Sequence, residues 1–219
     1  MSRMDRAAIL RSRDRFWRPS DISGAPSTVQ HLLADLTRSG ELQRVRRGLY
    51  WRGTKTPLGM SPPSTETMAG ELAGGKGTGP AGLSAANLLR LSTQVPRRTQ
   101  IAVPARAARS TLTVDFVSRA ARTARRSAGL GRTEVALLEM LGDLSPSEMG
   151  PRESWQHLRS VLKSPHVSPD RLAKAAKTEP AVTRARLSAL LSDEGLGDLA
   201  AKVPPADPRV HARALAAIR

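Results

Sequence analysis

Four apolar residues at i, i+3, i+4 and i+7, Val29, Leu32, Leu33 and Leu36, lie between Pro26 and Gly40 and fix what the surrounding chain can become. At 100° per residue they fall within an arc of about 100°, the stripe of a helix that lies on a core. Pro26 suits the first helical turn, where a missing N–H is no loss, and Ser27 and Thr28 suit its exposed N-terminus. Gly40 is a stop signal. Beyond it, residues 42–45 and 49–51 are short β-forming runs that can pair around Arg46, Arg47 and Gly48. A helix, a tight turn and an arginine-tipped hairpin within residues 25–51 outline a winged helix-turn-helix.

The preceding residues supply the rest of such a motif. Residues 4–12 read as a short helix with Met4, Ala7 and Ala8 turned inward and Phe16 just beyond it. Residues 16–22 read as a brief second helix with Pro19 near its start, and Ser23-Gly24-Ala25 is short enough to turn into the next helix. Residues 53–63 are proline-interrupted and aperiodic, which predicts a linker and a division into residues 1–55 and 56–219.

Charge points to a partner. The chain carries 35 Lys and Arg against 19 Asp and Glu, a net +16. Most of the cations are arginine, whose planar fork suits phosphate oxygens and guanine edges, so nucleic acid is the leading partner class. A plain solvated surface is the competing explanation for any single arginine outside the hairpin. The excess is densest at the N-terminal end: residues 1–55 give 12 − 5 = +7, residues 56–150 give 11 − 7 = +4 and residues 151–219 give 12 − 7 = +5. With no cysteine, disulfides and thiolate metal sites are excluded, which fits a reducing cytoplasm. No run approaches the roughly 18 apolar residues of a membrane span, and the first residues lack a secretory pattern. A soluble, cytoplasmic protein with no membrane partner is expected.

From residue 56 on, the pattern predicts a mixed helix and strand domain. Residues 64–73 look helical, with Ser64 as cap and Glu66 in the first turn. The run Gly74-Gly75-Lys76-Gly77-Thr78-Gly79 lacks the order of a phosphate-binding loop and reads as a flexible connection between helices. Residues 83–91 form a helix with Ala85, Ala86, Leu88 and Leu89, ended by residues 92–96. Residues 100–103 and 112–117 are β-rich and predict paired strands. Arg119, Arg122, Arg125 and Arg126 share a helical face that suits DNA, RNA or an acidic protein surface. Helices follow at 133–142, around Trp155, Leu158 and Leu162, at 169–177 behind the cap Ser168, at 180–192, and from Asp207-Pro208 onward. The expected fold class is α+β and mainly helical: an N-terminal winged helix-turn-helix, then a mixed helix and strand domain with strands near 99–118 and a helical C-terminal end.

One resemblance sharpens this. Trp17-Arg18-Pro19-Ser20-Asp21-Ile22, the helix ending at Gly40, Arg44-Val45-Arg46-Arg47-Gly48-Leu49-Tyr50, Pro57-Leu58-Gly59, Ser61-Pro62, Gly82-Leu83-Ser84-Ala85-Ala86-Asn87-Leu88-Leu89 and Leu91-Ser92-Thr93-Gln94-Val95-Pro96 stand in this order. Over about residues 15–140 the chain resembles the AbiEi-type antitoxins of type IV toxin–antitoxin systems. The AANLL and LSTQVP segments are its most specific parts; residues 74–82 and the helical C-terminal end depart from the family pattern. The resemblance implies an antitoxin and transcriptional autorepressor. Its winged helix would bind double-stranded DNA at inverted repeats in its own operon promoter, as monomer or dimer. Its C-terminal domain would antagonise a cognate nucleotidyltransferase-like toxin.

Candidate contacts follow from the helix and hairpin. Ser27, Gln30 and His31 lie on the N-terminal half of the helix, the part that reaches base edges in the major groove, with Thr28 and Arg38 flanking them. Arg44, Arg46, Arg47 and Arg52 are placed to hold phosphates or to enter the minor groove. The histidines His31, His157, His166 and His211 show neither metal-ligand spacing nor a triad arrangement, and no paired carboxylates sit in an apolar context. No enzyme activity, catalytic residue, cofactor or metal is expected. The alternatives are an interaction protein that neutralises the toxin by direct contact, with DNA binding secondary, and a stand-alone winged-helix regulator.

Overall fold

The apolar stripe forms the helix that its spacing predicts. In a computed structural model, which describes residues 3–219 apart from 74, 108, 112, 217 and 219, and only the backbone of residues 3–5, 65, 66, 69 and 73, the protein is α+β and about half helical, with several small sheets. It divides into two compact units, Met1–Glu71 and Leu72–Arg219. The sequence expectations for Met4, Glu66, Gly74 and Leu112 lie outside what is described.

The first unit opens with α1 (Arg3–Arg11) and β1 (Arg15–Trp17), followed by a single 3-10 turn at Pro19–Asp21. Ile9, not Ala7 or Ala8, is the fully buried position of α1. The helix expected over residues 16–22 is therefore replaced by a strand and a turn. Arg18 precedes a proline, which disfavours the helical region, and it is extended at φ −116°, ψ 156°. Phe16 and Trp17, both good strand formers, pair with a later strand instead. Trp17 is buried and its Nε1 donates to Ser12 Oγ at 3.0 Å, tying β1 to the end of α1.

Helix α2 (Pro26–Arg38) has Pro26 in its first turn and buries Val29, Leu32, Leu33 and Leu36. They join Ile9, Trp17, Ile22 and Leu42 in one cluster. Its end is a Schellman closure: Gly40 takes φ +68°, its N–H donates to the Thr37 carbonyl at 3.1 Å, and the Glu41 N–H reaches the Leu36 carbonyl at 2.8 Å. The chain passes directly into β2 (Gln43–Arg46) and β3 (Leu49–Arg52), so Arg46 belongs to the strand rather than to the turn. The three strands pair antiparallel in the order β1-β3-β2, with a bulge between Arg44 and Arg46. Leu49 and Trp51 face the core, and Trp51 meets Phe16 with ring centroids 4.8 Å apart.

The stretch expected as a linker is part of the same unit. It forms a small hairpin, β4 (Lys55–Thr56) and β5 (Gly59–Met60), because Gly59 supplies φ +110° and Thr56 Oγ1 donates to its carbonyl at 2.8 Å. Trp51 Nε1 donates to the Ser61 carbonyl at 2.8 Å, and a Cβ on Gly53 would sit 2.3 Å from that oxygen. Helix α3 (Thr65–Ala73) follows, with Ser64 Oγ accepting the Thr67 N–H at 3.1 Å as the expected cap.

The second unit is built on one sheet and a stack of helices. Its strands are β6 (Gly79–Pro80), then, after α4 (Gly82–Leu88), β7 (Thr99–Val103) and β8 (Val114–Ser118). β7 and β8 do pair, and they pair parallel, with β6 antiparallel on the other side of β7. The glycine run is pinned rather than loose: a Cβ on Gly77 would lie 2.7 Å from the Arg125 backbone, and one on Gly79 2.7 Å from Val135. Leu88 faces outward while Ala85, Ala86 and Leu89 are buried.

After the one-turn α5 (Ala124–Ser127) comes α6 (Arg132–Gly142), whose residues Val135 through Leu138 are wholly inaccessible to solvent. Helices α7 (Pro151–Leu162), α8 (Pro169–Ala175), α9 (Ala181–Asp193), α10 (Gly197–Ala201) and α11 (Pro208–Ala216) complete the unit. α10 is a helix with no start or stop signal strong enough to separate it in the sequence. Ser168 caps α8 as expected, accepting the Arg171 N–H at 3.4 Å.

The arginine face expected to meet a ligand is mostly internal. Arg125 is 0% exposed: its Nε and Nη2 donate to the two Glu179 oxygens at 2.6 and 2.9 Å, and its Nη1 to Glu139 Oε1 at 2.7 Å. Arg119 Nη2 and Arg122 Nη1 reach the same Glu139 carboxylate at 2.8 and 2.6 Å. Only Arg126 of the four remains exposed. Arg119 and Arg122 lie on the turn after β8 and Arg125 and Arg126 in the one-turn α5, so the four do not share the single helical face read from their spacing.

Burial pushes the Glu139 carboxyl up, but the Arg119 hydrogen bond and the Arg125 and Arg122 charges outweigh it and hold Glu139 below the ordinary carboxylate range. Unfolded glutamate titrates near ~4.3, so this stabilisation is complete above that pH and is lost as the pH falls through the lower folded value. Glu139→Gln should cost about 3–5 kcal/mol at neutral pH, since it leaves buried guanidinium groups short of a partner. It should also remove part of the stability loss seen on acidification. Urea denaturation of both proteins at pH 7 and at acid pH measures this, and equal acid losses would exclude Glu139 as their source.

Candidate nucleic-acid interface

Helix α2 has two faces set by its sequence. With Val29, Leu32, Leu33 and Leu36 inside, Ser27, Gln30, His31 and Arg38 are exposed and Thr28 is half-buried. Ala25 caps the helix without a side-chain bond, so Ser27 and Thr28 are not used as caps. Ser27, Gln30 and His31 sit at positions i, i+3 and i+4, one neighbourhood on the solvent side. Arg38, at the C-terminal turn, is paired with Asp35 at 2.9 Å.

The hairpin places its charge differently. Arg44 and Arg46 are exposed on the edge strand β2, and Arg47 is exposed at the tip, where Gly48 takes φ +73°. Among the described residues none of the three has a carboxylate partner within salt-bridge distance. Among the described residues no carboxylate neutralises these cations of the hairpin, and the outer edge of their strand pairs with no other strand.

Arg52 does not join them. Its side chain is 12% exposed, and its Nη2 lies 3.3 Å from both the Leu10 carbonyl and Glu41 Oε2. It alternates with the buried Trp51 but is covered by the end of α1, a tertiary contact with no local sequence signal. Glu41 also takes a hydrogen bond from Lys55 at 2.5 Å, the main reason its carboxyl lies below the usual range. Sequence reasoning missed Arg15, exposed on β1 at the opposite edge of the sheet from β2, whose guanidinium stacks 4.4 Å above Trp17. Arg18, three residues on, pairs with Glu71 at 2.5 Å.

In the second unit residues 93–95 are exposed yet held. Glu148 accepts from the Thr93 N–H, Thr93 Oγ1 and Gln94 Nε2 at 2.6, 3.0 and 2.9 Å, contacts that pull its carboxyl below the ordinary range. Asn87 Nδ2 donates to the Gln94 carbonyl at 3.2 Å, and His157 Nε2 lies 2.6 Å from the Leu89 carbonyl. On this fixed loop Val95 is 83% exposed. Among the described residues no three His, Asp or Glu side chains are grouped to hold a metal ion, and no helix is long and apolar enough to cross a membrane.

No protein-family model matches the chain. No curated protein matches it either. Among solved structures it is similar to the RV2827C protein from Mycobacterium tuberculosis, with a TM-score of 0.51 at 20% sequence identity, over 92% of this chain and 81% of that one. At that identity the likeness is one of fold.

The division of α2 into an inner and an outer face gives a direct test. Leu33→Ala, at a fully buried position, should lower stability by about 2–5 kcal/mol. Gln30→Ala, His31→Ala and the pair Arg46→Ala with Arg47→Ala should each stay within about 0.5 kcal/mol of the parent. Thermal or urea unfolding reads both, and a large loss from the outer set would mean that those residues hold the fold rather than face a ligand.

Proposed function

We propose that the protein is a DNA-binding transcriptional repressor whose first unit is a winged helix-turn-helix. α2 is its recognition helix and the β2–β3 hairpin its wing. The observation that carries the reading is the set of Arg44, Arg46 and Arg47, without a carboxylate partner among the described residues, on a hairpin entered directly from a helix with an open polar face. The order helix, strand, 3-10 turn, helix, hairpin, with sheet order β1-β3-β2, supports this reading, the Pro19–Asp21 turn standing where the sequence predicts a helix. In the proposed complex Ser27, Gln30 and His31 meet base edges in the major groove, with Thr28 and Arg38 at the flanks. Arg44, Arg46 and Arg47 hold phosphates or enter the adjacent minor groove. The first unit would carry this activity and the second a separate one.

The resemblance to AbiEi-type antitoxins extends the proposal to an autorepressor of an operon that also encodes a nucleotidyltransferase-like toxin, which the second unit antagonises in the cytoplasm. The rigid, exposed loop that presents Val95 favours a second reading of that unit, neutralisation by direct contact with the partner protein, since a pre-ordered apolar anchor loses little entropy on binding. Neither activity calls for a catalytic group, cofactor or metal.

A gel shift with the full chain and the DNA upstream of its own coding sequence tests the first reading. Arg46→Ala with Arg47→Ala should weaken binding to specific and unrelated DNA alike. It should also reduce the slope of log K against log salt by about 1–2, at near 0.9 for each phosphate no longer neutralised. Gln30→Ala should instead lower the preference for the upstream fragment with little change in slope. An unchanged slope in the double variant would remove the wing from the mechanism.

A further inference from the structure

The last three helices border a half-open cavity of about 370 Å³ in which the charge has one sign. Arg184 and Ser188 line it from α9, and His211 from α11. The segment that leaves α10 supplies an apolar wall of Val203, Pro204 and Pro205. No aspartate or glutamate among the described residues lines it. The nearest acid in sequence, Asp207, is occupied by the Arg209 N–H at 2.9 Å.

Arg184 is the informative residue. Its Nε is buried and has no hydrogen-bond partner among the described residues. A guanidinium lining a cavity that holds no acid carries an uncompensated charge there, and its edge fits a carboxylate through two parallel N–H bonds. His211, exposed beside it, donates a ring N–H in either protonation state. Ser188 Oγ already leans on the Ala200 carbonyl at 3.4 Å. A compact, multiply charged anion would leave the proline and valine wall unused, whereas an apolar tail would cover it.

We propose that this cavity binds a small aliphatic monocarboxylate, its carboxylate on Arg184 with His211 beside it and its chain along Val203, Pro204 and Pro205. The site lies wholly within the second unit and is independent of DNA binding.

Titration of the full chain with acetate, butyrate and hexanoate, followed by amide chemical shifts, tests it. Affinity should rise roughly fourfold for each methylene that the cavity covers, from about 0.8 kcal/mol per buried CH₂, and the shifted amides should cluster around residues 184–188 and 200–211. Hexanamide and inorganic phosphate should bind at least tenfold more weakly than hexanoate. Arg184→Gln, at a half-buried position on a helix surface, should lower hexanoate affinity at least tenfold while keeping the far-ultraviolet spectrum. Ala201→Leu, which places bulk at the exposed rim, should abolish the chain-length dependence. Equal binding of hexanamide, full affinity in Arg184→Gln, or shifts elsewhere would overturn the proposal. Tighter binding of N-acetylvaline than of hexanoate would assign the site to peptide ends and overturn it as well.

Discussion

A guanidinium that no water can reach must find its acceptors within the chain, and the second unit is arranged so that Arg125 does. Its two carboxylate partners come from different places: Glu139 from the middle of α6, and Glu179 from the segment between α8 and α9. Residues 40 apart in sequence are fixed to one point, and every helix that carries a partner has its rotation about its own axis restricted. Glu134, earlier on α6, does the same at the helix start, where it accepts the Gly131 and Ser168 N–H groups at 2.6 and 2.9 Å and Arg171 Nε at 2.9 Å. Isolated surface ion pairs add little to stability; these are enclosed, shared and geometrically specific. What would otherwise be a stack of short helices, none with enough intrinsic propensity to stand alone, acquires a defined register.

The first unit depends on a different economy. Its core is a leucine stripe laid against three short strands, and burial of that stripe decides which α2 side chains remain outside. Ser27, Gln30 and His31 are exposed because four neighbours are not. The Schellman turn at Gly40 leaves no slack between helix and wing, so the arginines of β2 are delivered at a fixed distance along the chain from the open face of the helix.

Local chemistry is legible in this chain and long-range chemistry is not. The α2 stripe, the Gly40 stop, the Ser168 and Ser64 caps and the strand at 49–51 are readable because each signal lies within a few residues of its effect. Residues 16–22 depart from their expected helix because a strand partner 35 positions away, Phe16 against Trp51, outweighs a weak local helix signal. The hairpin at 55–60 is hidden by Pro57 and by the prolines that follow it at 62 and 63, and the glycine run looks loose because what packs on Gly77 and Gly79 comes from α5 and α6. In the interface, the exposure of Ser27, Gln30 and His31 follows from helix geometry alone, whereas the inward turn of Arg52 requires knowing where α1 ends. The arginines at 119–125 show the same limit, since a run of positive charge reads the same whether it faces solvent or two buried glutamates.

The bulge in β2 has a meaning for the protein at rest. β2 is the outer strand of its sheet, and an open strand edge invites the same edge of another molecule. Gln43-Arg44-Val45-Arg46 resists this twice over: the bulge interrupts the ladder that a second copy would have to match, and the arginines repel their own kind. The side chains proposed to meet phosphates thus keep the unbound wing from self-association and aggregation. A polyanion is the type of partner that turns that repulsion into attraction.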